Sequence, residues 1–441
     1  MILFKTIKNL SQKRFIRDVS ILQFGSFFSL GISALTSIIF ARLLGSDNYG
    51  LYALIFSFVS LTEIFMDLGA DYTALTLLPA AYARKDRVEI KNILSYFFYI
   101  SLFISLTIGV LILLISPLLT DWLYHQEGIG RLARYVILAV MVRTLFFILT
   151  LTLQSIRKIK SLTVIENLNK FTYLLFPVSL VLLGYGLFGI VFGHFISALI
   201  FSIVSLFLFH YLTKNNELLP SMIEIIKNFK KINFKKYLQF GFLVSLNKNL
   251  DKLYAGLPLI FLGMFTSAVS QIAYFKIATG YLSLPIVFLT AISRVLMVQL
   301  SQSLAYGGKI FKENFKKAAW GSGLLFIFLL IPFIIFASFL ISLLYGEEYL
   351  PAIKLVYILS LGFLMSGFSV GYSAFFRILD KMKVLLFLNL AVILSGVLLF
   401  FIFLNFISPL ESAVMLFIYF GSGEKIIRSL FIVRHLKRIK D

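Results

Sequence analysis

The stretch SLNKNLDKLYAG, residues 245–256, sets three charges and two amides inside an otherwise apolar run. On a helix Lys248 and Lys252 share a face at i,i+4, and Asp251 reaches Lys248 at i,i+3. One carboxylate among two ammonium groups leaves a positive charge over. That surplus suits an anionic headgroup such as a pyrophosphate, with Asn247 and Asn249 as further polar partners. The same residues also fit a local ion-paired cluster that only locks its helix.

Other ionisable residues interrupt apolar runs. Arg143, in VILAVMVRTLFFIL, has no acidic neighbour on its own helix, so it either joins an anion site or pairs with Glu63 or Glu166 across helices. Lys276, in IAYFKIATG, lies near a helix end, where it either snorkels to the surface or touches a ligand on its way out. Arg42 sits at a turn, serving as an anchor or as a substrate contact. Glu63, Asp67 and Asp71 follow one another at i,i+4, an acidic stripe. Glu63 is the deepest of them and the best placed to hold a coupling proton or sodium ion. Asp67 and Asp71 are expected to bind the basic residues of YARKDRVEIK at the cytoplasmic rim, as a gate.

These positions matter because of where the chain must hold them. The 441 residues are 60% hydrophobic and 14% charged, with a mean hydropathy of +0.95. A soluble fold carries about 25% charged residues, so this is an integral membrane protein. There are no cysteines, which excludes disulfides, thiolate nucleophiles and Cys-based metal sites. The net charge of +21 resides in short loops rather than on one soluble face, so a membrane accounts for it better than nucleic acid does. No phosphate-cradling P-loop, G-x-S-x-G or H-E-x-x-H occurs, and no cofactor is expected.

A helix needs about 20 apolar residues to cross the hydrocarbon. That ruler places spans near 19–40, 51–73, 93–116, 132–153, 162–183, 187–210, 237–261, 272–297, 318–344, 353–376, 384–404 and 410–432. Measured along the seventh, Lys248 lies about 16 Å and Lys252 about 22 Å in, near the midplane. Of the lysines and arginines between spans and at the ends, 29 fall in alternate segments and two, Arg42 and Arg131 at the edge of span four, in the others. The positive-inside rule then puts both termini in the cytoplasm. The expected organisation is a basic N-terminal segment (1–18), a six-helix bundle (19–210), a cytoplasmic linker (211–236), a second bundle (237–432) and a basic tail (433–441). The first 18 residues, lacking a cleavage site before their long apolar run, are read as preceding a retained span.

The four residues Leu22-Gln23-Phe24-Gly25 recur as Leu238-Gln239-Phe240-Gly241, each copy opening a span directly behind a basic stretch. Leu44-Gly45 and Tyr52 are echoed by Leu262-Gly263 and Tyr274. This is the pattern of a duplicated six-helix unit, and twofold repeats are how many secondary transporters build alternating access. The stretch RLLGSDNYGLYAL (Arg42, Leu44, Gly45, Tyr49, Gly50, Tyr52), followed by Asp67-Leu68-Gly69, resembles the polysaccharide exporters of the multidrug/oligosaccharidyl-lipid/polysaccharide (MOP) flippase superfamily, the Wzx-type O-antigen flippases. The family often has Pro where Ser46 stands. The resemblance is specific over the first 80 residues, and the twelve spans extend it to the whole chain.

It implies an all-α membrane fold of two six-helix bundles around a central cavity lined by spans one, two, seven and eight. The implied cargo is an undecaprenyl-pyrophosphate-linked oligosaccharide moved to the outer leaflet, powered by a proton or sodium gradient. Membrane lipids and polysaccharide polymerase or chain-length machinery are the implied partners; nucleic acid is not. Within the superfamily the rivals are a multidrug extruder, which would favour acidic cavity residues, and a lipid II flippase, which commonly carries helices beyond twelve. A membrane O-antigen polymerase or ligase is the rival of another class, and it would need a large external loop that the spacing does not provide.

Overall fold

A computed structural model describes the backbone of residues 2–66 and 69–438. It describes side chains from residue 17 onward, apart from those at 19, 240, 244, 291, 294, 295, 297, 298, 301 and 305. Asp67 and Leu68 lie outside the described residues. The described chain is helical, with no strand, as hydrocarbon demands of any backbone that cannot hydrogen-bond to water.

Helix α1 (Ile2–Met66) contains spans one and two, divided at Gly45, whose φ of 71° takes the backbone out of the helix. After a second break at Gly69 (φ 82°), α2 (Ala70–Ala83) completes span two. Helices α3 (Arg87–Tyr99) and α4 (Ser105–Tyr124), joined by a π-helical turn, form span three, and α5 (Ile129–Ser155) forms span four. Spans five and six are α6 (Ile159–Leu180) and α7 (Gly186–Lys214). The short α8 (Met222–Lys227) lies in the linker, and α9 (Phe234–Phe265) is span seven. Span eight is α10 (Val269–Ser283) and α11 (Ile286–Tyr306), broken at Pro285. Span nine is α12 (Gly308–Ile335) and α13 (Ala337–Tyr345), and span ten is α14 (Pro351–Phe363) and α15 (Tyr372–Ile378). Helix α16 (Met382–Leu404) is span eleven; α17 (Pro409–Ile418) and α18 (Glu424–Leu436), joined by a π-helical turn, are span twelve.

Six described helical stretches are long and apolar enough to cross a membrane, and two of them, Ser20–Met66 with 47 residues and Ile159–Lys214 with 56, are long enough for two crossings each. The remaining spans are broken by Pro or Gly, or carry charges, as α9 does. Several helices outrun their apolar windows. Span two was expected to end at 73 but continues to Ala83, because residues 74–83, ALTLLPAAYA, are still mostly apolar and the chain turns only at Arg84-Lys85-Asp86.

The chain forms two compact units. The first comprises Met1–Ile39, Thr62–Ser116 and Arg131–Ser245; the second comprises Phe40–Leu61, Pro117–Gly130 and Leu246–Asp441. These are a different partition of the chain from two consecutive six-helix halves. The core of the first unit gathers Ile93, Tyr96, Phe97, Leu149 and Phe209. The linker belongs to this core: Ile225 of α8 is fully buried, and the Ser95 hydroxyl donates to its carbonyl at 3.0 Å. A capping box of Ser221 and Glu224 starts α8, and Arg87 donates to Glu224 at 2.9 Å. The Ser221 backbone N–H and then the Arg87 charge hold the Glu224 carboxyl below its ordinary range.

The repeated glycines have a common use. A Cβ on Gly25 would stand 2.1 Å from Thr163 Cγ2 of α6, and one on Gly241 would stand 2.1 Å from Thr73 Oγ1 and 2.7 Å from the Gly69 carbonyl. Both copies of the motif therefore bring a helix backbone against its neighbour, the small-residue packing that replaces hydrophobic drive in lipid. Gly25→Ala is expected to destabilise the purified protein by about 1–3 kcal/mol, the usual cost of overpacking. Adding Thr163→Ala should restore most of that loss in a thermal melt; no effect from the first change would contradict the packing.

Candidate functional site

The polar residues of span seven enter a network inside the second unit. Asn247 is 3% exposed; its amide N–H donates to the Met382 carbonyl at 3.4 Å, and its Oδ1 accepts from Asn389 Nδ2 at 3.0 Å. Asn389, fully buried on α16, accepts from Arg428 Nη2 at 2.6 Å and from the Tyr254 hydroxyl at 3.2 Å. Arg428 is the hub. It donates to Asp251 Oδ1 at 3.0 Å, its Nε pairs with Glu424 one turn earlier on α18, and its guanidinium lies 5.8 Å from the Tyr254 ring. Lys425 donates to the Ser366 hydroxyl at 2.8 Å.

The guanidinium thus bridges two carboxylates in one place. Glu424 is 4% exposed, Arg428 13% and Asp251 54%, so the network runs from a sealed end to an accessible one. Losing the positive charge would strand Glu424, whereas Asp251 can still reach water or a ligand. From the sequence alone Glu424 and Arg428 read as no more than a favourable i,i+4 helix pair, and Asn389 and Lys425 do not stand out. The available signal was GSGEKIIRSL, three charges in the last span behind glycines whose π-helical turn widens the helix, a feature frequent at functional sites.

Asn247 and Asn249, expected to touch substrate, are both buried in the helix packing, one on either side of the narrow exposed strip of α9 that carries the lysines. Lys248 is exposed and Lys252 partly so, one turn apart. Lys276 is exposed on α10. Among the described residues neither Lys252 nor Lys276 makes an ion pair.

The first unit holds a second charged pair. Arg143 of α5 donates to Glu63 at 2.9 Å, with the two side chains 34% and 26% exposed, and its guanidinium lies 5.6 Å from the Phe147 ring. Of the alternatives open for Arg143, the structure selects pairing with Glu63. Asp71 lies in the first turn of α2, just beyond Gly69. The thirteen residues from it to Arg84, the first cation of the basic rim, span about 20 Å of helix. Its negative charge faces the positive end of the α2 dipole. Asp67 lies outside the described residues.

Arg42 is an anchor of the second unit. Its Nε donates to the Leu344 carbonyl at 2.7 Å and its Nη2 to that of Leu343, capping the C-terminal end of α13. Ser46 N–H donates to Glu348 at 2.6 Å, and the Tyr349 hydroxyl donates to the Ala41 carbonyl at 2.8 Å. The stretch that carried the family resemblance therefore grips residues 343–349. No group of three or more His, Asp or Glu able to hold a metal is found among the described residues.

The helical arrangement defines the class: it is the fold of the MOP superfamily. The chain is similar to a multidrug resistance MATE family transporter of that superfamily in its inward-facing conformation, with a TM-score of 0.75, 15% identity, and coverage of 93% of this chain and 95% of that one. It is similar to the lipid II flippase MurJ in an inward closed conformation, with a TM-score of 0.69, 16% identity, and coverage of 93% and 87%. The eukaryotic MATE transporter AtDTX14 matches with a TM-score of 0.67 at 15% identity over 95% of this chain and 96% of that one. At such identities the likeness is one of fold. No curated protein matches the sequence. Residues 39–354 match the polysaccharide biosynthesis protein family, to which the chain belongs.

Arg428→Met leaves Glu424 buried without its counter-charge and is expected to cost about 3–5 kcal/mol in unfolding stability. The double change Arg428→Met with Glu424→Gln should cost less than the single one. Equal losses in denaturant melts of the two variants would contradict the pairing.

Proposed function

We propose that the protein is a flippase that carries undecaprenyl-pyrophosphate-linked oligosaccharide units, of the kind used for O-antigen, capsule or exopolysaccharide, from the cytoplasmic to the outer leaflet. The observation that carries this reading is the pair of cations on spans seven and eight, Lys252 and Lys276, that have no ion-pair partner among the described residues. A charge inside a membrane protein is costly unless something neutralises it. An anionic cargo supplies what the protein does not, and a pyrophosphate offers several acceptors to ammonium donors. Lys248, one turn before Lys252, extends the same face. Membership of a polysaccharide biosynthesis family directs the choice of anion toward a lipid-linked glycan.

The paired carboxylates are the coupling elements in this account. Protonation of Glu63 removes the negative partner of Arg143, and protonation of Asp251 removes the accessible one of the two partners of Arg428, so each arginine can take another acceptor in its place. That is a local charge event able to bias an alternating-access cycle. The 29 basic residues of alternate loops orient the chain with both ends in the cytoplasm of a bacterial inner membrane.

Complementation of a bacterium lacking its own glycan flippase tests the site. The intact protein should restore surface glycan, and Lys252→Ala and Lys276→Ala, at matched membrane abundance, should each weaken substrate affinity by about 10- to 100-fold, the worth of one charged hydrogen bond. Full restoration by both variants would remove the anion site.

A further inference from the structure

Two cavities of the first unit meet where span one begins. An apolar groove of about 880 Å³ lies between α1 and α6, walled by Phe24, Phe28, Leu168 and Phe171. Beside it is a polar cavity of about 630 Å³ lined by Arg17, Asp18, Arg157, Lys158 and Lys160. Arg17, Ile21 and Lys160 line both, so the two are continuous. The one carboxylate, Asp18, pairs with Arg157 at 3.4 Å, which leaves three cations in excess. From Arg17 to Phe28 is about 16 Å along the helix, roughly half the hydrocarbon thickness. A basic cavity opening into an apolar groove one leaflet deep has the form of a site for an amphiphile with an anionic head.

We propose that the two cavities together seat an isoprenoid pyrophosphate lipid, with the pyrophosphate among Arg17, Arg157, Lys158 and Lys160 and the start of the chain along the Phe24–Phe28 face of α1. This rests on the flippase reading above and adds to it a loading site on the basic side of the membrane, separate from Lys252 and Lys276. Charge complementarity selects the occupant. A phospholipid phosphodiester brings one negative charge to three excess cations, whereas a pyrophosphate diester brings two. A single groove also matches a single chain better than two acyl chains. Gly25 keeps the groove open at its closest point, where any side chain would meet Thr163.

The test is photolabelling of the full-length protein in phosphatidylglycerol-containing nanodiscs with undecaprenyl pyrophosphate carrying a photoreactive group in its chain. Adducts are expected on residues 24–28 and 164–171. Arg17→Gln combined with Lys160→Gln should reduce them about thirtyfold, for two surface-lipid charges lost. Leu168→Trp, which fills the groove without touching the charges, should abolish them while gel-filtration behaviour is unchanged. Adducts confined to other helices, or adducts at the site unaffected by both variants, would overturn the proposal. So would equal displacement by added phosphatidylglycerol, which would make the groove a seat for bulk lipid. The readout needs no translocation: labelling here by a protein that restores glycan in no host would defeat the flippase reading and leave the lipid site standing.

Discussion

A charge in hydrocarbon must be answered by an opposite one, and that constraint organises both units of this protein. In the first, Glu63 answers Arg143 across spans two and four. In the second, Arg428 answers Asp251 and Glu424 together, and Asn389 and Asn247 complete its hydrogen bonding into the packing of spans seven, eleven and twelve. Buried polar networks of this kind are stabilising when every member is satisfied, so loss of one member is felt by the others. Among the described residues Lys252 and Lys276 stand outside these networks, and the proposed flippase reading gives them an anionic ligand as counter-ion.

Close backbone approach is the second requirement, because lipid gives helices no hydrophobic reason to associate. The duplicated Leu-Gln-Phe-Gly entrance answers it twice. Gly25 meets Thr163 in one copy, while in the other Gly241 meets Gly69 and Thr73, with the Thr73 hydroxyl donating to the Tyr237 carbonyl at 3.3 Å. The break at Gly69, part of the stretch that carried the family resemblance, is thus packed directly against the second copy of the repeat. The other part, around Arg42 and Ser46, is spent on holding residues 343–349.

What the sequence revealed and what it hid divide along one physical line. Hydropathy and loop charge report depth in the membrane, and from depth the spans and their ionisable residues were legible. Azimuth around a helix was not. Nothing in SLNKNLDKLYAG distinguishes the inward face of Asn247 from the accessible face of Lys252 without knowing what packs against α9. Partners on other helices were hidden for the same reason: Asp251 meets Arg428, 177 residues away. The end of span two was hidden as well: the helix runs on to Ala83, ten residues past its expected end at 73.

The measurement that bears most directly on the account is a sidedness assay in proteoliposomes. Undecaprenyl-pyrophosphate-linked oligosaccharide carrying a fluorophore on the sugar is placed in one leaflet, and its arrival in the other is followed with a membrane-impermeant quencher under an imposed proton or sodium gradient. Transfer that requires the protein and the gradient, and that falls sharply with Lys252→Ala, is the predicted result. A protein that leaves this lipid in place while driving gradient-dependent export of cationic drugs would contradict the account.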